Sequence, residues 1–120
     1  MRLLVTGSRD WIDGNLMRES LAGLPSDTEM CHGNARGADL LADAIATKIR
    51  GWKVTAYPAD WATHGFRAGP IRNQQMLDDF KPDLCYAYPL PESKGTIDMI
   101  KRCKKAGVPV VVWGPMADRH

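Results

Sequence analysis

Short apolar runs alternate with amphipathic segments along this chain of 120 residues, and that alternation constrains the fold more than any other feature. The runs predict five strands, at residues 2–6, 28–32, 52–57, 83–87 and 108–113. Between them, apolar residues repeat at three- and four-residue steps, most clearly from Ala38 to Ile49, which predicts four helices. Strands that alternate with helices form βαβ units, so we predict an α/β fold whose parallel sheet is covered on both faces.

Length and composition favour one soluble domain over residues 1–120. The chain is 44% hydrophobic and 25% charged, and its net charge of +2 gives no strong electrostatic reason to bind nucleic acid or an anionic membrane. The apolar part of the N-terminus is too short for a signal peptide, and no apolar run approaches the roughly 20 residues of a membrane span. We therefore expect a cytoplasmic protein that makes no membrane contact.

The sequence carries none of the common motifs for metals, dinucleotides or triphosphates. Its three cysteines form no CxxC pair, and Cys31 and Cys85 fall in predicted strands, where they read as small core residues. The histidines His32, His64 and His120 lack ligand spacing. The absence of GxGxxG, GK[ST] and GxSxG disfavours nicotinamide hydride transfer, P-loop phosphoryl transfer and serine hydrolysis. We expect no metal and no cofactor.

Local signals predict where several elements begin and end. Asp13 marks the entry to the first helix, and Thr96 is a candidate cap for the last one. The run at 108–113 is apolar enough to predict a central or well-covered strand. Residues 114–120 are predicted to form a frayed tail. The segment from Pro58 to Pro70 is the longest irregular stretch, and loops of that length in compact domains are often functional.

The turns that follow the predicted strands are rich in glycine and arginine, and all of them fall at one rim of the sheet. Open α/β sheets bind ligands at this carboxyl rim. In the stretch CHGNARGADLL, Gly33 and Gly37 bracket Arg36 just before a helix start, whose unpaired N–H groups attract anions such as phosphate. Gly95 and Thr96 stand at another helix start and can offer an N–H group and a hydroxyl. For each turn, an ordinary structural turn or helix cap is the alternative.

The long segment and the helix after it add further candidates. Trp61 can stack on a base, or it can fill space under the loop as an apolar plug. His64 is a candidate general acid or base. Arg72 and Asn73 begin a helix and can hold phosphate or ribose.

Four ordered motifs, MRLLVTGSRDW, HGNARGAD, PADWATHGFRAGPIRNQQM and KGTIDMI, resemble the YspA-like, cpYpsA-related proteins of the SLOG superfamily. That superfamily also contains the Lonely Guy phosphoribohydrolases and the DNA-processing Smf proteins, and its YspA-like members occur in bacteria and phages. The resemblance implies a single Rossmann-like domain that binds nucleotides or nucleotide-derived ligands.

The resemblance also implies where the ligand is held. Its phosphate-binding motifs map to the first turn, to the turn between Gly33 and Gly37, and to the Gly-Thr pair; Asp39 is the aspartate of the ARGAD motif, and Arg72 and Met76 match the middle helix. Together with the residues argued above, the predicted binding set is Gly7, Ser8, Arg9, Gly33, Asn34, Ala35, Arg36, Gly37, Asp39, Arg72, Asn73, Gly95 and Thr96.

One departure from the related enzymes concerns catalysis. The Lonely Guy enzymes carry PGGxGTxxE with a catalytic glutamate, whereas this chain reads PESKGTIDM, so Met99 occupies the glutamate position. Asp98 is adjacent, but the next residue along a helix points about 100° away. Activity of the cytokinin-releasing type is therefore disfavoured.

The hypothesis we favour is a domain that binds a nucleotide or a nucleotide-derived ligand at the carboxyl rim. An alternative is an N-glycosidic bond hydrolase or transferase, whose carboxylate or acid–base candidates are Asp39, Asp60, Asp98 and His64. A weaker alternative is a single-stranded DNA-binding module, which the small net charge disfavours. We expect a small-molecule partner and a homo-oligomer, because related proteins associate through their helices.

Overall fold

The computed structural model describes residues 1–117 and consists of a parallel sheet between two layers of helices. The five strands are β1 (Arg2–Gly7), β2 (Glu29–His32), β3 (Lys53–Ala56), β4 (Leu84–Tyr88) and β5 (Val110–Val112). The helices are α1 (Gly14–Ala22), α2 (Ala38–Ile45), α3 (Trp61–His64), α4 (Ala68–Phe80) and α5 (Lys94–Lys105). The predicted α/β fold is confirmed. In the part of the chain that the structure describes, no helix has both the length and the apolar character needed to cross a membrane.

The strands lie in the order β3-β2-β1-β4-β5, and every neighbouring pair is parallel. The prediction that the apolar run at 108–113 forms a central or well-covered strand is wrong, because β5 is an edge strand. Val111 in its middle is 38% exposed, so the strand is not well covered either. The apolar character of a strand therefore does not report whether another strand lies beside it.

Side-chain alternation along the central strands builds two separate cores. Leu3 and Val5 of β1 face the layer formed by α1 and α2, whereas Leu4 between them faces α4 and α5. Cys31 and Cys85 are fully buried in the second core, together with Cys103, so the prediction that the strand cysteines are core residues is confirmed. Both faces of the sheet are therefore closed, and the carboxyl rim remains for a ligand.

Several boundaries differ from the predicted ones. Asp13 caps α1 as expected, and its carboxylate accepts a hydrogen bond from the Leu16 N–H at 3.0 Å. The cap of α5 is Ser93, so the assignment of Thr96 as a cap is wrong. The helix of the 38–49 pattern leaves α geometry after Ile45 and continues as a π-helical turn, Ala46–Arg50.

The segment predicted to be a long irregular loop also contains helix. It holds α3, the 3₁₀ turn Gly65–Arg67 and the beginning of α4, which starts at Ala68, before the end of the segment that was predicted to be irregular as far as Pro70. The tail begins in contact with the core, because a Cβ on Gly114 would lie 2.5 Å from the Trp11 ring. Residues 118–120 of the predicted frayed tail, including His120, lie outside the described residues.

Candidate functional site

The strand order places a crevice at the carboxyl ends of β1 and β4. The chain passes from β1 to β2 on one side and later returns to place β4 on the other side, and ligands of open α/β sheets bind at such switch points. A cavity of about 540 Å³ lies there, which is within the usual range for small-molecule sites. Its wall combines the turn after β1, the turn after β2, one side of α4 and the start of α5.

The first turn of α5 forms one end of this cavity. Gly95 and Thr96 lie in that turn, where N–H groups have no partner within the helix. The Ser93 side chain does not cap them, because its hydroxyl accepts a hydrogen bond from the Leu90 N–H at 3.0 Å. Thr96 is only 4% exposed, lines the cavity, and its hydroxyl makes no hydrogen bond within residues 1–117. With Lys94 beside them, these groups favour an anion.

The turn after β1 lies beside α5 and closes against α2. Gly7 packs so tightly that a Cβ there would lie 2.4 Å from the Ala38 Cβ. The Ser8 carbonyl accepts the first amide of α2, from Ala38, at 3.0 Å, and the Ser8 hydroxyl accepts the Asp10 N–H at 3.0 Å. The exposed side chain of Arg9 also lines the cavity. Glycine at position 7 therefore serves helix–strand packing, and Arg9 contributes the positive charge of this turn.

The turn after β2 is hydrogen-bonded within the protein. Asp39 Oδ2 accepts the N–H groups of Gly33 at 3.1 Å and Ala35 at 3.3 Å. The Asn34 N–H donates to His32 Nδ1 at 2.9 Å. Three of the amides predicted to hold phosphate therefore already have protein partners.

Other residues of the same turn lie away from the cavity. Among the residues that the structure describes, Asn34, Arg36 and Gly37 are not part of the cavity wall. Arg36 instead lies 4.0 Å from Asp10, and both side chains are largely exposed. Gly37 has φ of +76°, and a Cβ there would lie 2.4 Å from the Arg9 carbonyl oxygen, so this glycine is needed for the two turns to meet.

Asp39 is the buried acid of the site. It is 5% exposed and lines the cavity, and its Oδ1 atom accepts no hydrogen bond from the described residues. Burial raises the pKa of this carboxyl to about 6, although the Ala35 amide, His32 and Arg72 act in the opposite direction. Because His32 Nδ1 accepts the Asn34 amide, its Nε2 carries the proton and donates to Asp43 Oδ2 at 2.6 Å. Asp39 therefore retains one unsatisfied acceptor, whereas its Oδ2 atom and both ring nitrogens of His32 are hydrogen-bonded.

Two consecutive residues of α4 connect the two halves of the cavity. The Arg72 guanidinium donates to the Gly33 carbonyl and, at 3.0 Å, to Asn73 Oδ1. The buried Asn73 side chain donates in turn to the Gly95 carbonyl at 3.2 Å and to Asp98 Oδ2 at 3.0 Å. The predicted pair Arg72 and Asn73 therefore joins the turn after β2 to the start of α5.

The predicted catalytic candidates have different surroundings. Asp60 caps α3 by accepting the Thr63 N–H at 3.1 Å. Hydrogen bonding to the Thr63 side chain, and then to its N–H, lowers the pKa of this carboxyl. Both Asp60 and His64 lie outside the described cavity wall. Asp98 lines the cavity but is paired with Asn73 and, at 2.8 Å, with Arg102. Asp39 is thus the candidate acid that combines a place in the cavity wall with an unpaired oxygen.

Met99, at the position of the related catalytic glutamate, is fully buried in the core with Met76 and Cys103. Within residues 1–117, no group of three or more His, Cys, Asp and Glu side chains is placed to hold a metal ion.

Sequence reasoning missed part of the cavity wall. Phe66 was not singled out, yet it lines the mouth of the cavity together with Trp61. The signal that could have found it is its place in PADWATHGFRAGP, where the two aromatic residues stand five positions apart among small and polar residues. Asp10, Glu92 and Lys94 also line the cavity without having been predicted.

Comparisons with known proteins agree with this architecture. A family model described as the YspA, cpYpsA-related SLOG family matches residues 1–64, which contain the turns after β1 and β2. The chain is also 40% identical over 121 residues to the Gene 61 protein of Mycobacterium phage D29, and the match covers 94% of this chain and 96% of the phage protein.

Proposed function

The chain belongs to the YspA, cpYpsA-related SLOG family, and on that premise we propose that its rim cavity binds a nucleotide or a nucleotide-derived ligand. The observation that most supports this proposal is the first turn of α5. It offers unpaired backbone N–H groups, the positive end of a 12-residue helix and the hydroxyl of Thr96 in one cavity wall. Phosphate is the common biological anion that such a helix terminus holds.

The remaining groups of the wall suit the rest of a nucleotide. Arg9 and Lys94 supply positive charge beside the helix terminus. The unpaired Oδ1 of Asp39 is a suitable acceptor for a sugar hydroxyl. Arg72 and Asn73 hold the two sides of the cavity in register through their contacts with Gly33 and Gly95. In this proposal the turn after β2 positions Asp39, and α5 binds the phosphate.

A thermal-shift screen tests binding directly. The panel contains nucleoside mono-, di- and triphosphates, NAD, ADP-ribose and cyclic dinucleotides, and a ligand that binds the folded state raises Tm with the logarithm of its concentration. Titration of a hit against Thr96→Val, which removes the hydroxyl at similar volume, is expected to show about tenfold weaker binding, because a hydrogen bond to a charged group is lost. Lys94→Ala is expected to weaken binding as well.

Lys101→Ala provides the matched control, because Lys101 is exposed on the same helix outside this cavity wall in the described residues. Equal binding by wild type, Thr96→Val and Lys94→Ala would refute the assignment of the phosphate site. A folded protein that no phosphate compound stabilises would refute the proposal as a whole.

A second candidate function, hydrolysis of an N-glycosidic bond, is favoured by the buried carboxyl of Asp39, whose Oδ1 accepts no hydrogen bond from the described residues. In this reaction the bond between the base and the anomeric carbon breaks, water supplies the new hydroxyl, and its other proton goes to the base. Product analysis on each hit is expected to show free base that Asp39→Asn abolishes and that Asp60→Asn leaves unchanged. Recovery of intact ligand from every hit would exclude this activity and leave binding alone.

A further inference from the structure

Two large aromatic side chains stand exposed at the mouth of the cavity. Phe66 is 88% exposed and Trp61 is 48% exposed, and both belong to the cavity wall. Exposed aromatic side chains grouped beside a polar cavity are typical of ligand-binding grooves.

The structure holds these side chains in place on short helical turns. Asp60 caps α3, at whose start Trp61 lies, and a Cβ on Gly69 of α4 would be 3.4 Å from the Trp61 ring. The ring is therefore seated against the first turn of α4. Phe66 follows Gly65, whose φ of +57° and ψ of −138° are a backbone conformation that glycine adopts with little strain.

A cation connects the aromatic side chains to the anion-binding end of the cavity. The Arg9 guanidinium carbon lies 5.9 Å from the centroid of the Trp61 ring, within the range of a cation–π contact. Arg9 belongs to the turn after β1, which lies beside α5 at the switch point. The aromatic side chains and the proposed phosphate site therefore line one cavity, and the positive charge of Arg9 in the same wall lies near the Trp61 ring.

Helix α4 contacts both ends of the cavity. The Trp61 ring lies against Gly69, and the Gly95 carbonyl accepts a hydrogen bond from Asn73. Gly69 and Asn73 are four residues apart, so the two contacts lie about one helical turn apart on the same helix.

We propose that Trp61 and Phe66 form a stacking subsite for the base of the bound nucleotide, and that this subsite makes the cavity selective for ligands with a planar aromatic base over bare sugar phosphates. The proposal rests on the proposed nucleotide-binding function and names the chemical class of its ligand. Stacking on an aromatic side chain accepts every base, because every base has a π-face. The subsite therefore explains a preference for nucleotides without requiring recognition of one base.

Calorimetric titrations of the full chain with three kinds of probe test this subsite. The probes are the four nucleoside 5′-monophosphates, ribose 5-phosphate, which lacks a base, and the four nucleosides, which lack phosphate. We expect wild type to bind at least one monophosphate about tenfold or more tighter than ribose 5-phosphate. Phe66→Ala and Trp61→Ala are each expected to weaken monophosphate binding about tenfold and to leave ribose 5-phosphate binding unchanged.

Ile71→Ala is the matched control, since Ile71 is an exposed apolar residue of α4, at 44%, outside this cavity wall in the described part of the chain. Equal affinity of wild type for monophosphates and ribose 5-phosphate would overturn the subsite and leave the phosphate proposal standing. If Phe66→Ala has an unchanged Tm but loses affinity for the monophosphates and for ribose 5-phosphate equally, the stacking subsite would also be overturned.

The nucleosides separate failure of the subsite from failure of the phosphate site. If the nucleosides bind wild type and bind Phe66→Ala more weakly, while ribose 5-phosphate does not bind wild type, the subsite is supported and the phosphate site is refuted. If no probe binds wild type, both proposals are overturned.

Discussion

The turn after β2 and the first turn of α5 both carry glycine at a helix start, yet the structure uses their polar groups differently. In the first, Asp39 and His32 accept the amides of Gly33, Ala35 and Asn34, so the turn is hydrogen-bonded within the protein. In the second, the Ser93 hydroxyl accepts the Leu90 N–H instead of an N–H group of the helix, and the Thr96 hydroxyl has no hydrogen-bond partner within residues 1–117. A glycine-rich helix start is thus an anion site only where the surrounding side chains leave its N–H groups unpaired.

The largest expected effect tests how tightly the first of these turns is closed. Gly37→Ala is expected to lower the free energy of unfolding by about 3 kcal/mol, because the new Cβ would lie 2.4 Å from a backbone oxygen at a φ of +76°. Gly51→Ala is the matched control, since its φ is +67° but no described atom lies within 4 Å of the new Cβ. Urea unfolding is expected to show a loss of about 1 kcal/mol for this control. Equal losses for the two variants would mean that the turn is not closed by packing.

A second prediction uses the buried carboxyl of the same turn. Burial raises the pKa of Asp39 from its ordinary value of 3.8 to about 6. Between these two pH values the unfolded chain releases the proton while the folded chain retains it, so the Asp39 contribution to stability falls as pH rises. Relative to Asp39→Asn, wild type is expected to lose about 2 kcal/mol between pH 4 and pH 7.

Urea unfolding of both proteins across that pH range measures this difference. Asp60→Asn is the control: hydrogen bonding lowers the pKa of Asp60, so the contribution of this carboxylate is lost only below about pH 4, and the stability curves of wild type and Asp60→Asn are expected to stay parallel between pH 4 and pH 7. Parallel stability curves for wild type and Asp39→Asn would show that the Asp39 carboxyl is not kept neutral by burial.

The third prediction breaks the connection between the two turns. Asn73→Ala removes the acceptor of Arg72 and the donor to Gly95 and Asp98 in a buried position, and it is expected to lower the free energy of unfolding by about 2 kcal/mol. Gln75→Ala on the exposed side of the same helix is expected to change it by less than about 0.5 kcal/mol. Chemical denaturation measures both, and indistinguishable values would argue against a connecting role for Asn73.

The smallest expected effect tests how open the second turn is. A Cβ on Gly95 would meet no described atom within 4 Å, so Gly95→Ala introduces no clash and improves helix propensity. We expect the free energy of unfolding to rise by about 0.5 kcal/mol, in contrast to the large loss expected for Gly37→Ala. A loss of stability in Gly95→Ala would show that the start of α5 is packed as closely as the turn after β2.

Much of the fold could be predicted because its signals are local. Leu3, Leu4 and Val5 alternate between the two faces of the sheet, and the helical period from Ala38 onward marks the buried side of α2. The rim could be located for the same reason, since parallel strands end on one side. The edge position of β5 could not be predicted, because the order of strands in a sheet depends on contacts between distant parts of the chain.

The candidate site also depends on contacts between distant parts of the chain, which limits what the sequence predicts. Gly95, Thr96, Asp39, Arg72 and Asn73 were predicted from motifs, and the structure places all five in the cavity wall. Arg36 has the right type and spacing for an anion clamp, yet among the described residues it lies outside that wall, near Asp10. Phe66 lies within the third motif but was not singled out, and the 3₁₀ turn between α3 and α4 places it in the cavity wall.

By itself the sequence determined the order of strands and helices, the two faces of the sheet and the rim at which the Gly-rich turns meet. These properties follow from backbone geometry over a few residues, which side-chain periodicity reports directly. Only the tertiary structure decided which turn is satisfied internally, which acid retains a free oxygen and which aromatic side chains face the cavity. Those outcomes depend on partners such as Asn73 and Gly95, 22 residues apart in the chain, which folding alone brings within hydrogen-bonding distance.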